Sequence, residues 1–236
     1  MAASVASIRK ALRALASPED AANLQRFFKT KPGQYGAGDV FLGIKVPPMR
    51  ALSKQYPDAD LKTIATLLDS RYHEERFFAL LLLMQLYQRG GNAEQAAAYK
   101  LYLGSTHRIN NWDLVDVSAP HIVGRHLQDR PRGILRKLAR SNSLWEKRIS
   151  IISTLYFIRL NDFGDTLRIA ETLICDEHDL MHKAVGWMLR EVGKRDLATE
   201  EEFLMQHYRN MPRTMLRYAI ERFPETKRKN YLNGKM

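Results

Sequence analysis

The chain has 236 residues, 45% of them apolar, an ordinary globular content that fits one domain or two. Its 37 Lys and Arg against 26 Asp and Glu give a net charge of +11, so it either attracts polyanions, nucleic acid first and anionic membrane next, or carries a merely basic surface. The single cysteine, Cys175, excludes an intrachain disulfide and suits a reducing cytosol, and the longest apolar run, FFALLLLMQLY at 77–87, falls well short of the roughly 20 residues that span a bilayer.

The N-terminal stretch carries Arg9, Lys10 and Arg13 on an Ala-rich helical pattern, with no acidic residue before Glu19. Such a segment can serve as an organellar transit peptide. We read it instead as the first helix of the fold, because Ser17-Pro18-Glu19-Asp20 starts a second helix with N-cap, proline and acidic first turn in place. The loop KPGQYGAGD (31–39) follows. Beyond it the periodicity predicts helices in pairs: 59–69 with 73–88, 93–104 with 111–127, 132–140 with 144–160, 163–174 with 179–195, and 199–209 with 213–223. Short polar turns such as RGGN (89–92), DRPRG (129–133) and RNMPR (209–213) separate them, and strand signals are scarce.

The pairs repeat. Arg76, Trp112, Arg148, Lys183 and Arg217 stand before the apolar run of each second helix, at spacings of 36, 36, 35 and 34 residues. That period belongs to two-helix, HEAT-like solenoid units. We therefore expect an all-α solenoid of antiparallel helix pairs with a concave basic face, forming one domain over 1–236 with a basic C-terminal tail at 225–236. The four cations of this row either line one surface, near helix N-termini whose dipoles add positive potential, or snorkel over the rim of the core. A basic surface of this kind suits the phosphates of duplex DNA.

Four residues further on stand Leu80, Asp116, Ile152, Trp187 and Glu221. Asp116 interrupts an apolar face built by Trp112, Val115, Ala119 and Ile122, with Asn110 or Asn111 as its N-cap. A carboxylate there is costly to desolvate without a positive partner. It is either one half of a plain ion pair with Arg148 or, between the indoles of Trp112 and Trp187, a receptor for a cation. On DNA the relevant cations are an alkylated purine and the oxocarbenium-like sugar left as its base departs. An alkylated base leaves neutral and needs no general acid, so one carboxylate that stabilises the sugar and orients water would suffice.

The segments NWDLVD (111–116), LWEKRISII (144–152) and KAVGWMLREVGK (183–194), with FLGIKVPPMR (41–50) upstream, resemble DNA alkylation repair glycosylases of the AlkD type over nearly the whole chain. The resemblance implies HEAT-like repeats, excision of positively charged N3- and N7-alkylpurines such as 3-methyladenine and 7-methylguanine, and no metal or organic cofactor. It implies that Asp116 is the catalytic carboxylate, that Trp112 and Trp187 lie against the backbone and sugar of the damaged nucleotide, and that Arg148 contacts phosphate. Arg76, Lys183 and Arg217 of the cationic row and Arg190 of the third segment join Arg148 as candidate DNA contacts. The family reads its lesion through the backbone rather than by rotating the base into a pocket, the general glycosylase rule. Two departures stand out: Phe27 falls where an early tyrosine is common, and the loop 31–39 is an insertion relative to shorter members.

Other patterns lead elsewhere. Gly33, Gly36 and Gly38 lack the Gly-Lys-Ser/Thr and preceding strand of a phosphate-binding loop, and His178, His182 and Cys175 lack a fourth metal ligand. The expected protein is thus a monomeric, cytoplasmic, monofunctional DNA glycosylase acting on duplex DNA, with no membrane or metal partner. The alternatives are a non-catalytic binder of distorted or branched DNA and a protein-interaction scaffold.

Overall fold

The computed structural model describes residues 4–236, and every regular element among them is helical apart from an isolated parallel bridge between Val40 and Tyr72. The expected all-α architecture of paired, HEAT-like helices holds. The chain divides into two compact units, one ending at Leu114 and the other starting at Val115.

In the first unit α1 (Val5–Arg13) is opened by a reciprocal Ser4–Ser7 capping box and buries Ile8 and Leu12. Ser17 caps α2 (Pro18–Phe27), accepting the Asp20 amide, so the Ser-Pro-Glu-Asp reading holds. The segment before α3 (Val46–Ser53) is held from within: the buried carboxylate of Glu74 accepts the amides of Leu42, Gly43 and Ile44 at 2.8, 2.8 and 3.2 Å. Gly43 has φ +83°, and a Cβ there would lie 2.0 Å from the Ser17 carbonyl oxygen, so only glycine fits. α5 (His73–Arg89) is buried on nearly every face, its run Phe77–Leu83 being apolar all round. Packed on it are α3, α4 (Leu61–Leu68) and α6 (Asn92–Gly104).

The helix α7 (Trp112–Ala119) crosses the boundary between the units. Pro120 brings no N–H to its ladder, and the helix opens into a π-helical turn over Pro120–Gly124. A Cβ on Gly124 would stand 2.3 Å from the Ser153 carbonyl oxygen; glycine lets this turn approach α9 (Leu144–Ser153) closely. The helix expected at 144–160 breaks in two, with α10 at Leu155–Ile158. At the break the Ser153 and Thr154 hydroxyls donate back to the carbonyls of Ile149 and Ile151, competing with the ladder.

The rest of the second unit is α8 (Gly133–Ala139), α11 (Gly164–Thr172), α12 (Asp179–Gly193), α13 (Leu197–His207) and α14 (Arg213–Ala219). α12 is its centre, with α9, α11, α13 and α14 packed around it. In the tail Glu225–Leu232 forms α15, Tyr231 is buried, and Lys227 and Arg228 pair with Glu201 and Glu225.

Glu200 on α13 is a buried carboxyl whose Oε1 has no hydrogen-bond partner. Burial, with Glu201 adding and Arg190 opposing, pushes its pKa up to about 8. A raised carboxyl contributes its stability in full below its ordinary value, and the contribution is lost as pH rises through 8. Wild type is therefore expected to lose roughly 2–3 kcal/mol relative to Glu200→Gln between pH 5.5 and 7.5, read by urea denaturation. A constant difference across that range would refute it.

Candidate functional site

Trp112 belongs to the first unit; Asp116, Arg148 and Trp187 belong to the second. Asn111, fully buried, is the residue that meets the helix start, its Oδ1 accepting the Trp112 amide at 2.9 Å. The indole stacks on Phe28 with centroids 5.2 Å apart and meets Phe27 edge-on at 6.0 Å. Phe27 is 63% exposed, unusual for so large an apolar ring, and lies beside Trp112. The place where the resemblance expects a tyrosine is thus a surface ring against the first predicted indole.

Asp116 faces Arg148. Arg148 Nε donates to Asp116 Oδ1 and Nη2 to Oδ2, both at 2.8 Å, a bidentate pair. A third bond, from Nη1 to the Leu180 carbonyl at 2.6 Å, ties the guanidinium to α12. The Arg148 side chain is 5% exposed and that of Asp116 19%, so the carboxylate keeps an edge toward solvent while the guanidinium does not. Three of Arg148's five N–H donors are engaged inside the protein. The ion-pair reading of Asp116 is therefore present in the structure, and the phosphate contact expected of Arg148 has few donors left to make it.

Trp187 has other surroundings. Its indole N–H donates to Glu191 at 3.0 Å, and its ring lines a cavity of about 360 Å³ with Leu155, Ile158, Arg159, Lys194 and Arg195. Asp116 and Arg148 are not among the lining residues.

The cationic row divides. Arg148, Lys183 and Arg217 each occupy the fifth place of their helix, Arg76 the fourth, and Trp112 the first. Arg217 is exposed, and Lys183 is part-exposed while pairing with Asp179 at 2.7 Å. Arg190 is mostly buried between Glu221 and Glu191. Arg76 corrects the expectation of a surface row. It is 2% exposed, pairs with Asp39 at 2.6 Å and donates to the carbonyls of Ser70 and Arg71. Its guanidinium is spent on burying the end of the loop 31–39, because a desolvated Asp39 needs a cation beside it.

Sequence reasoning passed over His73, which lies between Asp39 and Asp113 at 3.1 and 2.8 Å. The signal was there: His73-Glu74-Glu75-Arg76 leads directly into FFALLLL, so four polar groups enter a buried helix and each must find a partner. The His178 and His182 rings turn to backbone, accepting the Leu180 amide and meeting the Asp176 carbonyl. Among the described residues no group of three or more His, Cys, Asp or Glu is placed to hold a metal, and no helix is long and apolar enough to cross a membrane.

Residues 8–223 match the family described as DNA alkylation repair enzyme. A solved structure titled as a predicted DNA alkylation repair enzyme from Enterococcus faecalis shares the fold, with a TM-score of 0.68 and 20% identity over 89% of this chain and 97% of that one. No curated protein gives a significant match.

Proposed function

The chain belongs to the DNA alkylation repair enzyme family, and from that membership we propose that it is a monofunctional glycosylase hydrolysing the N-glycosidic bond of cationic N3- and N7-alkylpurines in duplex DNA. The observation that carries this reading is the bidentate hold of Arg148 on Asp116. A carboxylate fixed at both oxygens by a buried guanidinium is pre-aimed and part-exposed, which is what stabilising a developing sugar cation demands. Because a positively charged purine departs neutral, the chemistry asks for no acid on the leaving group. Trp112 and Trp187 are assigned to the backbone and sugar of the lesion, and Lys183 and Arg217 to phosphates.

The same ion pair favours a second reading. A carboxylate paired with Arg148 is also what a binder of distorted DNA without chemistry would contain. A duplex carrying one 7-methylguanine separates the two: the wild-type protein at micromolar concentration is expected to release free base, detected by mass spectrometry. Tight duplex binding with no release above the uncatalysed background would leave the silent binder, and neither binding nor release would leave an interaction scaffold.

A further inference from the structure

His73 opens α5, is 2% exposed, and has a carboxylate at each ring nitrogen: Asp39 Oδ2 at 3.1 Å from Nδ1 and Asp113 Oδ2 at 2.8 Å from Nε2. A neutral imidazole can donate from one nitrogen only, so satisfying both carboxylates requires the imidazolium. The charged groups around it are Asp39 from the loop, Asp113 from α7 and Arg76 on its own helix, and Arg76 answers Asp39. Asp39 further accepts from Asn111 at 3.3 Å and Asn110 at 3.5 Å, the two residues that precede α7.

The imidazole is also one layer of an aromatic pile. Phe41 stacks on it at 4.5 Å and Phe28 leans on it at 5.1 Å. Phe28 in turn stacks on Trp112 at 5.2 Å. His73 therefore reaches the indole by two routes: through the Phe28 ring, and through Asp113, the residue next to Trp112 in the chain. We infer that His73 is a positioning residue for Trp112, joining the loop carboxylate Asp39 to the first-turn carboxylate Asp113 so that the start of α7 and the ring beneath the indole are set together. This rests on the reading of Trp112 as a group that lies against the damaged nucleotide.

The chemistry agrees with the geometry. Burial presses the imidazole toward neutrality, but Asp113 and Asp39 outweigh it and lift its pKa to about 9. A raised histidine contributes fully below its ordinary 6.5, and the contribution is lost as pH rises through 9. Losing it leaves Asp39 with Arg76, whereas Asp113 Oδ2 loses its imidazolium. The disturbance thus falls on the first turn of α7 rather than on the core of the unit.

The test reads Trp112 directly. The chain has three tryptophans, so Trp145→Phe with Trp187→Phe leaves Trp112 as the sole indole emitter. In that background His73→Gln and Asp113→Asn are each expected to raise the acrylamide quenching constant about twofold. The parent should show the same rise with a midpoint near pH 9, and Asp113→Asn should abolish that step. With the natural tryptophans present, His73→Gln should slow single-turnover release of 7-methylguanine about tenfold at unchanged duplex affinity. On a Trp112→Ala background it should add nothing, because coupled residues are not additive. Unchanged quenching, or a full tenfold loss added to that of Trp112→Ala, overturns the inference. If the wild-type protein releases no base, the glycosylase reading falls while quenching still judges the positioning. Should His73→Gln fail to fold, Asp113→Asn carries both arms, since it keeps the His73–Asp39 contact.

Discussion

Replacing Asp116 with asparagine is expected to slow release of 7-methylguanine about a thousandfold while duplex affinity changes less than threefold. The size follows from what is removed: a preorganised charge aimed at a developing cation is worth on the order of 10²–10³ in rate. The substitution is close to isosteric. Asparagine retains an oxygen to accept from Arg148 Nε, so the three bonds of the guanidinium fall to two rather than none. A buried cation is left without its counter-charge, and urea denaturation should record a loss of about 2 kcal/mol. Stability and rate can therefore be read apart. Loss of activity matched by loss of folded protein would reduce Asp116 to a structural partner, and a variant of undiminished rate would remove it from the chemistry.

Arg148→Met is expected to destabilise the fold by about 3–4 kcal/mol, because it takes the guanidinium from a part-buried carboxylate and the Nη1 donor from the Leu180 carbonyl. Adding Asp116→Asn to it should recover part of that loss, as removing both halves of a buried pair is cheaper than removing one. The salt dependence of duplex binding provides the contrast. Arg148 turns its donors inward, so its removal should leave the slope of log K against log salt unchanged. The exposed Arg217, changed to alanine, should lower that slope by about 1. A slope that drops with Arg148 and not with Arg217 would reverse these assignments.

Much of the architecture was legible in advance. The 3.6-residue periodicity, the Ser17-Pro18 start and the polar turns located nearly every helix to within a few residues, because each reports on a stretch of chain shorter than twenty residues. Where the reading missed, the cause was local chemistry that periodicity ignores. Pro120 turned α-helix into π-helix, and two hydroxyls at 153–154 cut a long helix in two. The tail is helical because Tyr231 has a buried seat, which a run of basic residues does not announce.

Residue by residue, the candidate site divides along the same line. The pattern of the chain singles out Asp116 as an ion on an apolar face and Arg148 as its nearest cation by repeat, and these two do meet. It also treats Arg76, Arg148, Lys183 and Arg217 as one kind of residue, and here folding separates them. Arg76 meets Asp39 across 37 residues of chain, Arg148 meets Asp116 across 32, and Arg217 stays at the surface. His73 and Asp113, 40 residues apart, carry no mutual mark at all in the string of letters. A repeat period expresses the geometry of one helix pair, so it is written locally and can be read locally. Whether a charge is solvated or desolvated depends on which distant side chains arrive beside it, and that is settled only when the helices close on one another and water leaves.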